Sequence, residues 1–182
     1  MTRGPTLPAH RLPYLPRPLD AFNTAAADEA HALLLRCLRS PRWSRRLADH
    51  RPYPDLDALL AAADEAAYDL SPGDLAEALA GESLPELPED TYSAAHMALS
   101  AAQAAYEARF GHGFAIYLGD VPPDEALDRV LEAIRSRLTN DPEEERVTAA
   151  EELRRLARGR LGQFLGTAGS CATSANAPLS GK

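Results

Sequence analysis

A histidine and an amide side chain lie among apolar residues in the stretch from residue 91 to residue 110. Positions three and four residues apart share one face of a helix. Here that face carries His96, Leu99, Gln103, Tyr106 and Phe110. Two polar side chains on an apolar face are either core residues with satisfied hydrogen bonds or part of a ligand pocket. The pattern leaves both interpretations open for His96 and Gln103.

Other common catalytic patterns are missing from the sequence. The five histidines include no pair four residues apart, no cysteine partner and no His-Glu-x-x-His motif, which argues against a metal site. Gly111 and Gly113 follow a helix instead of joining a strand to one, so they do not predict a phosphate loop. No Gly-x-Ser-x-Gly or Cys–His arrangement indicates covalent catalysis. Carboxylic acids are therefore the expected proton carriers.

The charge of the chain disfavours nucleic acid as a partner. The formal net charge is -8 and the isoelectric point is near 5.1, so a polyphosphate meets a repulsive average field. Arginines cluster between residues 36 and 46, which is more typical of a solvated helix edge than of an anion site. We interpret this cluster as surface; its members are Arg36, Arg39, Arg42, Arg45 and Arg46.

The sequence predicts a protein of the cytoplasm. Cys37 lies in an apolar helix and Cys171 in a small, polar tail, so a structural disulfide between them is not expected. The first residues contain five prolines and no continuous apolar stretch, which fits neither a signal peptide nor a membrane span. No membrane association is expected.

One helical domain accounts for most of the chain. Residues 1–18 form a proline-rich arm that is expected to be extended, and residues 167–182 form a tail too polar to order itself. Residues 19–166 carry successive stretches with helical spacing of apolar residues. The predicted starts of six helices are Asn23 or Thr24, Ser40-Pro41, Ser71-Pro72-Gly73-Asp74, Thr91, Pro123 and Asp141-Pro142. A further helix, the third in order, carries Leu56, Leu59, Leu60, Ala63 and Ala67 on one apolar face.

Two further details complete this prediction. Arg39, Gly81 and Phe110 mark the expected ends of the first, fourth and fifth predicted helices. Residues 114–120 could pass for a strand, but no second strand pairs with them, so we predict an extended connector. The expected fold class is all-α.

Several segments, taken in order, resemble a known family. They are Phe22-Asn23, Ser40-Pro41-Arg42-Trp43, Arg51-Pro52, Tyr106-Glu107-x-Arg109-Phe110-Gly111-x-x-Phe114, Arg137-Leu138-x-Asn140-Asp141, Glu145 and Arg160-Leu161. They are similar to the decarboxylases of 2-oxo-4-hydroxy-4-carboxy-5-ureidoimidazoline (OHCU), and the likeness spans roughly residues 12–165. The resemblance implies a single compact all-α domain, a homodimer and no cofactor.

The resemblance also implies a reaction. OHCU decarboxylases complete the conversion of urate to (S)-allantoin in purine catabolism by removing CO2 from a small anionic ureidoimidazoline. Such a substrate already contains a carbonyl-type electron sink, so it needs orientation, desolvation of its carboxylate and a positioned acid. The implied activity is that of a cofactor-free carbon–carbon lyase.

This chain departs from the family at its best-known position. The family's catalytic His-Pro-x-Ile/Leu-Gly becomes Glu77-Ala78-Leu79-Ala80-Gly81, so glutamate replaces histidine. The usual asparagine of the next helix is Gln103, and an arginine often found after the extended segment falls near Gly119. The resemblance then implies Glu77 and Glu86 as catalytic residues. The substrate-binding residues it implies are Gly81, Glu82, His96, Gln103, Phe110, Phe114 and Ile116.

Three hypotheses follow. In the first, the protein is an OHCU decarboxylase in which Glu77 and a nearby acid, Glu82 or Glu86, transfer the proton. In the second, it is an inactive or repurposed paralogue that binds a small ureido or imidazoline ligand, or a protein partner, and Glu77 is a solvated surface residue. In the third, it is a helical interaction module whose His96 and Gln103 face a filled core.

Overall fold

The computed structural model describes residues 18–84, 93–119 and 121–166. Within these ranges the chain forms eight α-helices and no β-strand, which confirms the all-α prediction. The helices are α1 (Pro18–Thr24), α2 (Ala27–Cys37), α3 (Pro41–Asp49), α4 (Leu56–Tyr68), α5 (Pro72–Ala80), α6 (Ser93–Phe110), α7 (Ala126–Arg137) and α8 (Pro142–Leu165).

Three helices begin at the predicted capping residues. The Ser40 hydroxyl accepts a hydrogen bond from the amide of Trp43 at 3.3 Å, and Asp141 accepts from two amides in the first turn of α8. Ser71 and Asp74 bond each other's backbone amides at 3.0 and 3.2 Å, forming a capping box. A proline follows each cap, where its missing N–H costs no helical hydrogen bond. Local sequence therefore fixes these three starts.

Two predicted helix starts are wrong. Asn23 and Thr24 belong to α1, and α2 begins at Ala27 without a side-chain cap. The Asn23 amide is instead used in a long-range pair, because it donates to the Tyr53 carbonyl at 2.8 Å and accepts from the Tyr53 amide at 2.9 Å. The helix expected at Pro123 begins at Ala126. The first predicted helix also ends early, because α2 stops at Cys37 instead of Arg39.

Helix α8 is the centre of the larger core. It packs against α1, α2, α4 and α5, and α3 packs against α2 and α4. Leu153 and Leu161 of α8 are buried with Leu34 of α2 and Trp43 of α3. The Trp43 indole N–H donates to the Ala63 carbonyl at 2.9 Å, so its polar atom is satisfied inside the core.

A smaller core joins α6, α7 and the segment between them. Tyr106, Phe114, Val130 and Ile134 form its buried centre. Residues 113–118 have no regular secondary structure, which confirms the predicted connector. None of the helices in residues 18–84, 93–119 and 121–166 is long and apolar enough to span a membrane.

Candidate functional site

An ion pair near the end of α8 marks the junction of three helices. The Arg160 guanidinium donates to both carboxylate oxygens of Glu82 at 2.9 and 2.7 Å, and to the carbonyl of Cys37 at 3.0 Å. The Glu82 side chain is 4% exposed, against 30% for Arg160. The hydrogen bonds from Glu82 raise the pKa of Arg160 above its usual value. Glu82 thus fixes Arg160 where α2, α5 and α8 meet.

A cleft of about 850 Å³ opens beside this ion pair. Its walls come from α2 and the residues after it, the last turn of α5, and the last turns of α8. Two predicted site residues, Glu77 and Gly81, line it, whereas Glu82 pairs with Arg160 and is not part of the lining. The lining residues are Leu35, Arg36, Arg39, Pro41, Glu77, Ala80, Gly81, Arg160, Gln163 and Phe164.

Two arginines interpreted as surface residues line the cleft. Arg39 lies across Gly81, where an added Cβ would come within 2.2 Å of the Arg39 Cδ. The guanidinium carbon of Arg36 stands 4.7 Å from the ring centre of Phe164. Within the described part of the chain neither arginine forms an ion pair. Both arginines are exposed, as the surface interpretation expects, and they line the cleft as well.

Glu77 is the one carboxyl that lines the cleft among the described residues. It is exposed on the last turn of α5 and shares the cleft with three guanidinium groups. The described ranges contain no group of three or more His, Cys, Asp or Glu side chains placed to hold a metal ion. Chemically, the cleft combines sites for an anion with one group that can transfer a proton.

The predicted residues of α6 lie outside the described cleft lining. Gln103 is half-buried and donates to Glu107 at 3.0 Å, one turn further along the same helix. His96 is exposed, so its predicted place on a buried face is wrong. The reason is that α6 packs mainly against α7, while its own buried centre, Tyr106, lies near the carboxyl end.

The connector places its side chains in the smaller core. Phe110 and Phe114 each pack against Tyr106 with ring centroids 4.9 Å apart, and Phe114 is 2% exposed. Ile116 is half-buried on the same core. Gly113 touches the end of α5, since an added Cβ would lie 2.9 Å from the Leu79 carbonyl oxygen. The connector backbone thus approaches the helix that carries Glu77 and Gly81.

A buried polar network holds the connector in place. The Arg137 guanidinium donates to the Glu145 carboxylate and to the Ala115 carbonyl, the latter at 2.6 Å. Glu145 also accepts from the Tyr106 hydroxyl and, at 2.9 Å, from the Asn140 amide. Burial and the hydrogen bond to Glu145 raise the pKa of Tyr106. The network joins α6, α7, α8 and the connector.

The sequence contained one signal for the missed arginines. Arg36 and Arg39 are three residues apart and have no acidic residue three or four positions away, so no helical ion pair can occupy them. Gln163 and Phe164 carry no comparable signal, because only the fold brings the end of α8 to α2. The predicted catalytic Glu86 lies outside the described residues.

The fold and the cleft define an all-α protein whose charged site lies at the junction of α2, α5 and α8. The sequence pattern of the OHCU decarboxylase family matches residues 23–98 and 86–162, which together cover well over half of the chain. This chain belongs to the OHCU decarboxylase family. No curated protein sequence matches it.

Two crystal structures share the fold at low sequence identity. An OHCU decarboxylase crystallised in the presence of (S)-allantoin is 17% identical, with a TM-score of 0.66, and the match covers 79% of this chain and all (100%) of that one. An (S)-allantoin synthase is 19% identical, with a TM-score of 0.64 over 81% of this chain. The match spans about half (54%) of the (S)-allantoin synthase chain.

Proposed function

We propose that this protein is a cofactor-free carbon–carbon lyase that decarboxylates OHCU to (S)-allantoin in urate degradation. Family membership supports the reaction class. The observation that carries the proposal is the cleft itself, in which Glu77 shares one opening with Arg36, Arg39 and Arg160. Such a site suits a small anion that must lose a carboxylate and gain a proton.

The reaction assigns a role to each group. The bond between the ring carbon and the carboxylate carbon breaks, CO2 leaves, and the electron pair moves into the carbonyl-type sink of the substrate. Glu77 then delivers a proton to that carbon from one side, which makes the product a single stereoisomer. Because Glu77 is exposed, this role requires a bound substrate that covers it. Glu86 remains the second predicted acid.

A second wall of the site is expected from the connector and α6. The contact between Gly113 and Leu79 supports this, because it sets the connector backbone beside the last turn of α5. Gln103 and Ile116 keep their predicted roles as substrate contacts, and Phe110 and Phe114 shape that wall from below. His96 keeps its predicted role only if the substrate reaches the exposed side of α6.

The test is enzymatic. Purified protein is mixed with freshly generated OHCU, and optically active (S)-allantoin is followed by circular dichroism against the slow spontaneous reaction, which gives a racemate. The proposal predicts rapid formation of one enantiomer. A rate and an optical signal equal to the protein-free control would overturn it.

The second candidate is a repurposed paralogue that binds a ureido or imidazoline ligand without turnover. The exposure of Glu77, at the position where the family has histidine, favours this candidate. It predicts saturable binding of allantoin but no decarboxylation, and it predicts that Glu77→His introduces activity. Activity of the wild-type protein rules this candidate out.

We also propose a homodimer acting in the cytoplasm. One face of α6 supports the dimer: Met97 is 68% exposed, and small apolar side chains at one-turn intervals surround it. An apolar patch of this kind is typical of a surface that a partner covers. The small residues around Met97 are Ala94, Ala98, Ala101 and Ala105.

A further inference from the structure

The arginines that line the cleft differ in whether a carboxylate already pairs with them. Arg160 donates to both oxygens of Glu82 and to the Cys37 carbonyl, so its charge is balanced by a buried carboxylate. Arg36 and Arg39 have no such partner among the described residues, although both line the same opening. An incoming anion therefore finds the unpaired guanidinium groups of the cleft on the α2 side.

The other three arginines of the cluster do not line the cleft, and two of them are paired. Arg42 pairs with Asp74 at 3.4 Å, and Arg46 pairs with Asp69. Neither of these two lines the cleft. Arg45 forms no ion pair among the described residues either, but it lies outside the cleft lining. Arg36 and Arg39 are therefore the members of the cluster that are both unpaired and beside Glu77.

Both free arginines are also held in position. The aliphatic part of the Arg39 side chain packs on Gly81. It occupies the space that the side chain of any larger residue at position 81 would need. Arg36 stacks over the ring of Phe164, a cation–π contact that restricts its guanidinium. A side chain that is already restricted in the free protein loses less conformational entropy when it binds a ligand.

We propose that Arg36 and Arg39 form a carboxylate clamp, and that they select small anions in which a carboxylate is joined to a ureido-type group. Planar guanidinium groups match a carboxylate through paired hydrogen bonds. The Gln163 side chain lines the cleft beside them, and its amide both donates and accepts, as a ureido group requires. The identity of the natural substrate, though not the clamp itself, rests on the proposed function.

The clamp has a kinetic signature. During decarboxylation negative charge leaves the carboxylate, so a clamp on that group stabilises bound substrate more than the transition state. Removing either arginine should therefore raise KM by about tenfold, the scale of one charge-assisted hydrogen bond, and leave kcat at or above the wild-type value. A residue needed only for folding would lower kcat through loss of active protein.

Binding provides a test that needs no turnover. Two probes are titrated by NMR: diureidoacetate, a stable carboxylate with two ureido groups, and allantoin, which carries a ureido group without a carboxylate. Wild-type protein should prefer diureidoacetate, and Arg36→Ala and Arg39→Ala should each remove about tenfold of its affinity while leaving allantoin binding unchanged. Arg45→Ala is the matched control, because Arg45 is exposed, carries the same charge and does not line the cleft.

The outcomes separate the two proposals. If wild-type protein shows no preference for diureidoacetate, or if Arg45→Ala weakens binding as much as Arg39→Ala does, the clamp is overturned. If the preference depends on Arg36 and Arg39 but OHCU is not turned over, the clamp stands and the decarboxylase proposal fails. If OHCU is turned over with KM unchanged in both variants, the enzyme proposal stands and the clamp fails.

Discussion

Glu145 is a carboxylate with no exposure to solvent, and its surroundings explain how the fold tolerates it. Arg137, Tyr106 and Asn140 all donate to it, so its charge is paired and its oxygens are hydrogen-bonded. A buried charge that loses its partner is far more costly than a surface charge that does so. Arg137 and Glu145 therefore act as one unit in the structure.

Arg137→Met tests this dependence. The variant leaves Glu145 buried without its cation, so we expect the free energy of unfolding to fall by about 3–5 kcal/mol in urea denaturation. Arg146→Met is the control, because the Arg146–Glu143 ion pair lies on the surface of α8 and its loss should change stability little. Equal losses of unfolding free energy in the two variants would show that the buried network does not stabilise the fold.

The thiol of Cys37 predicts a pH dependence. Burial raises its pKa from 9.0 to about 11. Since the folded state favours the protonated thiol, this contribution to stability is complete below pH 9 and is lost as pH rises toward about 11. The loss is of the order of 2–3 kcal/mol for a shift of this size.

The loss of stability is measured by urea unfolding between pH 9 and about 11. The wild-type protein is compared with Cys37→Ala. The variant leaves a cavity that lowers stability at every pH, so the slopes and not the absolute values are compared. We expect the stability of Cys37→Ala to fall less steeply with pH. If the stabilities of the two proteins fall in parallel as pH rises, the raised pKa of Cys37 is contradicted.

At the scale of elements, local signals in the sequence predicted most of the fold. Ser40, Ser71 and Asp141 each combine a cap with a following proline, and the structure uses all three as helix starts. Asn23 carried a similar signal and failed, because its amide pairs with the Tyr53 backbone instead. A capping residue committed to a distant contact cannot be recognised from its neighbours alone.

Gly81→Ala tests how the end of α5 shapes the cleft. The backbone of Gly81 is helical, with φ of -89°, so alanine adds no backbone strain, but its Cβ would displace Arg39. We expect KM for OHCU to rise as it does in Arg39→Ala. The free energy of unfolding should fall by about 1–3 kcal/mol, because the added Cβ also lies 2.9 Å from the Arg39 Cβ, which cannot rotate away.

A double-mutant cycle identifies the cause. Gly81→Ala combined with Arg39→Ala should raise KM no further than Arg39→Ala alone, because both changes act on KM through the Arg39 guanidinium. Additive effects on KM would show that Gly81 acts independently of Arg39.

At the scale of the whole molecule, the cleft assembles residues from distant parts of the chain. Glu77 and Gly81 were predicted from a family motif, whereas Arg36 and Arg39 were missed because their partners, Gly81 and Phe164, meet them only in the folded chain. Spacing along one helix predicts a shared face, but it does not predict which distant helix covers that face. The prediction that His96 lies on a buried face was wrong for the same reason.

The dimer proposal also belongs to this scale. Light scattering should give twice the chain mass of 19.6 kDa for the wild-type protein, and Met97→Glu should give the monomer because it places a charge in the apolar face of α6. Val147→Glu is the control: Val147 is 60% exposed on α8 and outside that face. A monomeric wild-type protein, or a Met97→Glu variant that stays dimeric, would contradict this surface.

The most direct test of the central claim is the rate of (S)-allantoin formation by Glu77→Gln. The account predicts that kcat falls by at least about a hundredfold, the typical effect of losing a general acid, while binding of diureidoacetate persists. Glu65→Gln, which changes an exposed glutamate of α4 outside the cleft, should match the wild-type protein. A Glu77→Gln variant as fast as the wild-type enzyme would remove Glu77 from the reaction and contradict the account.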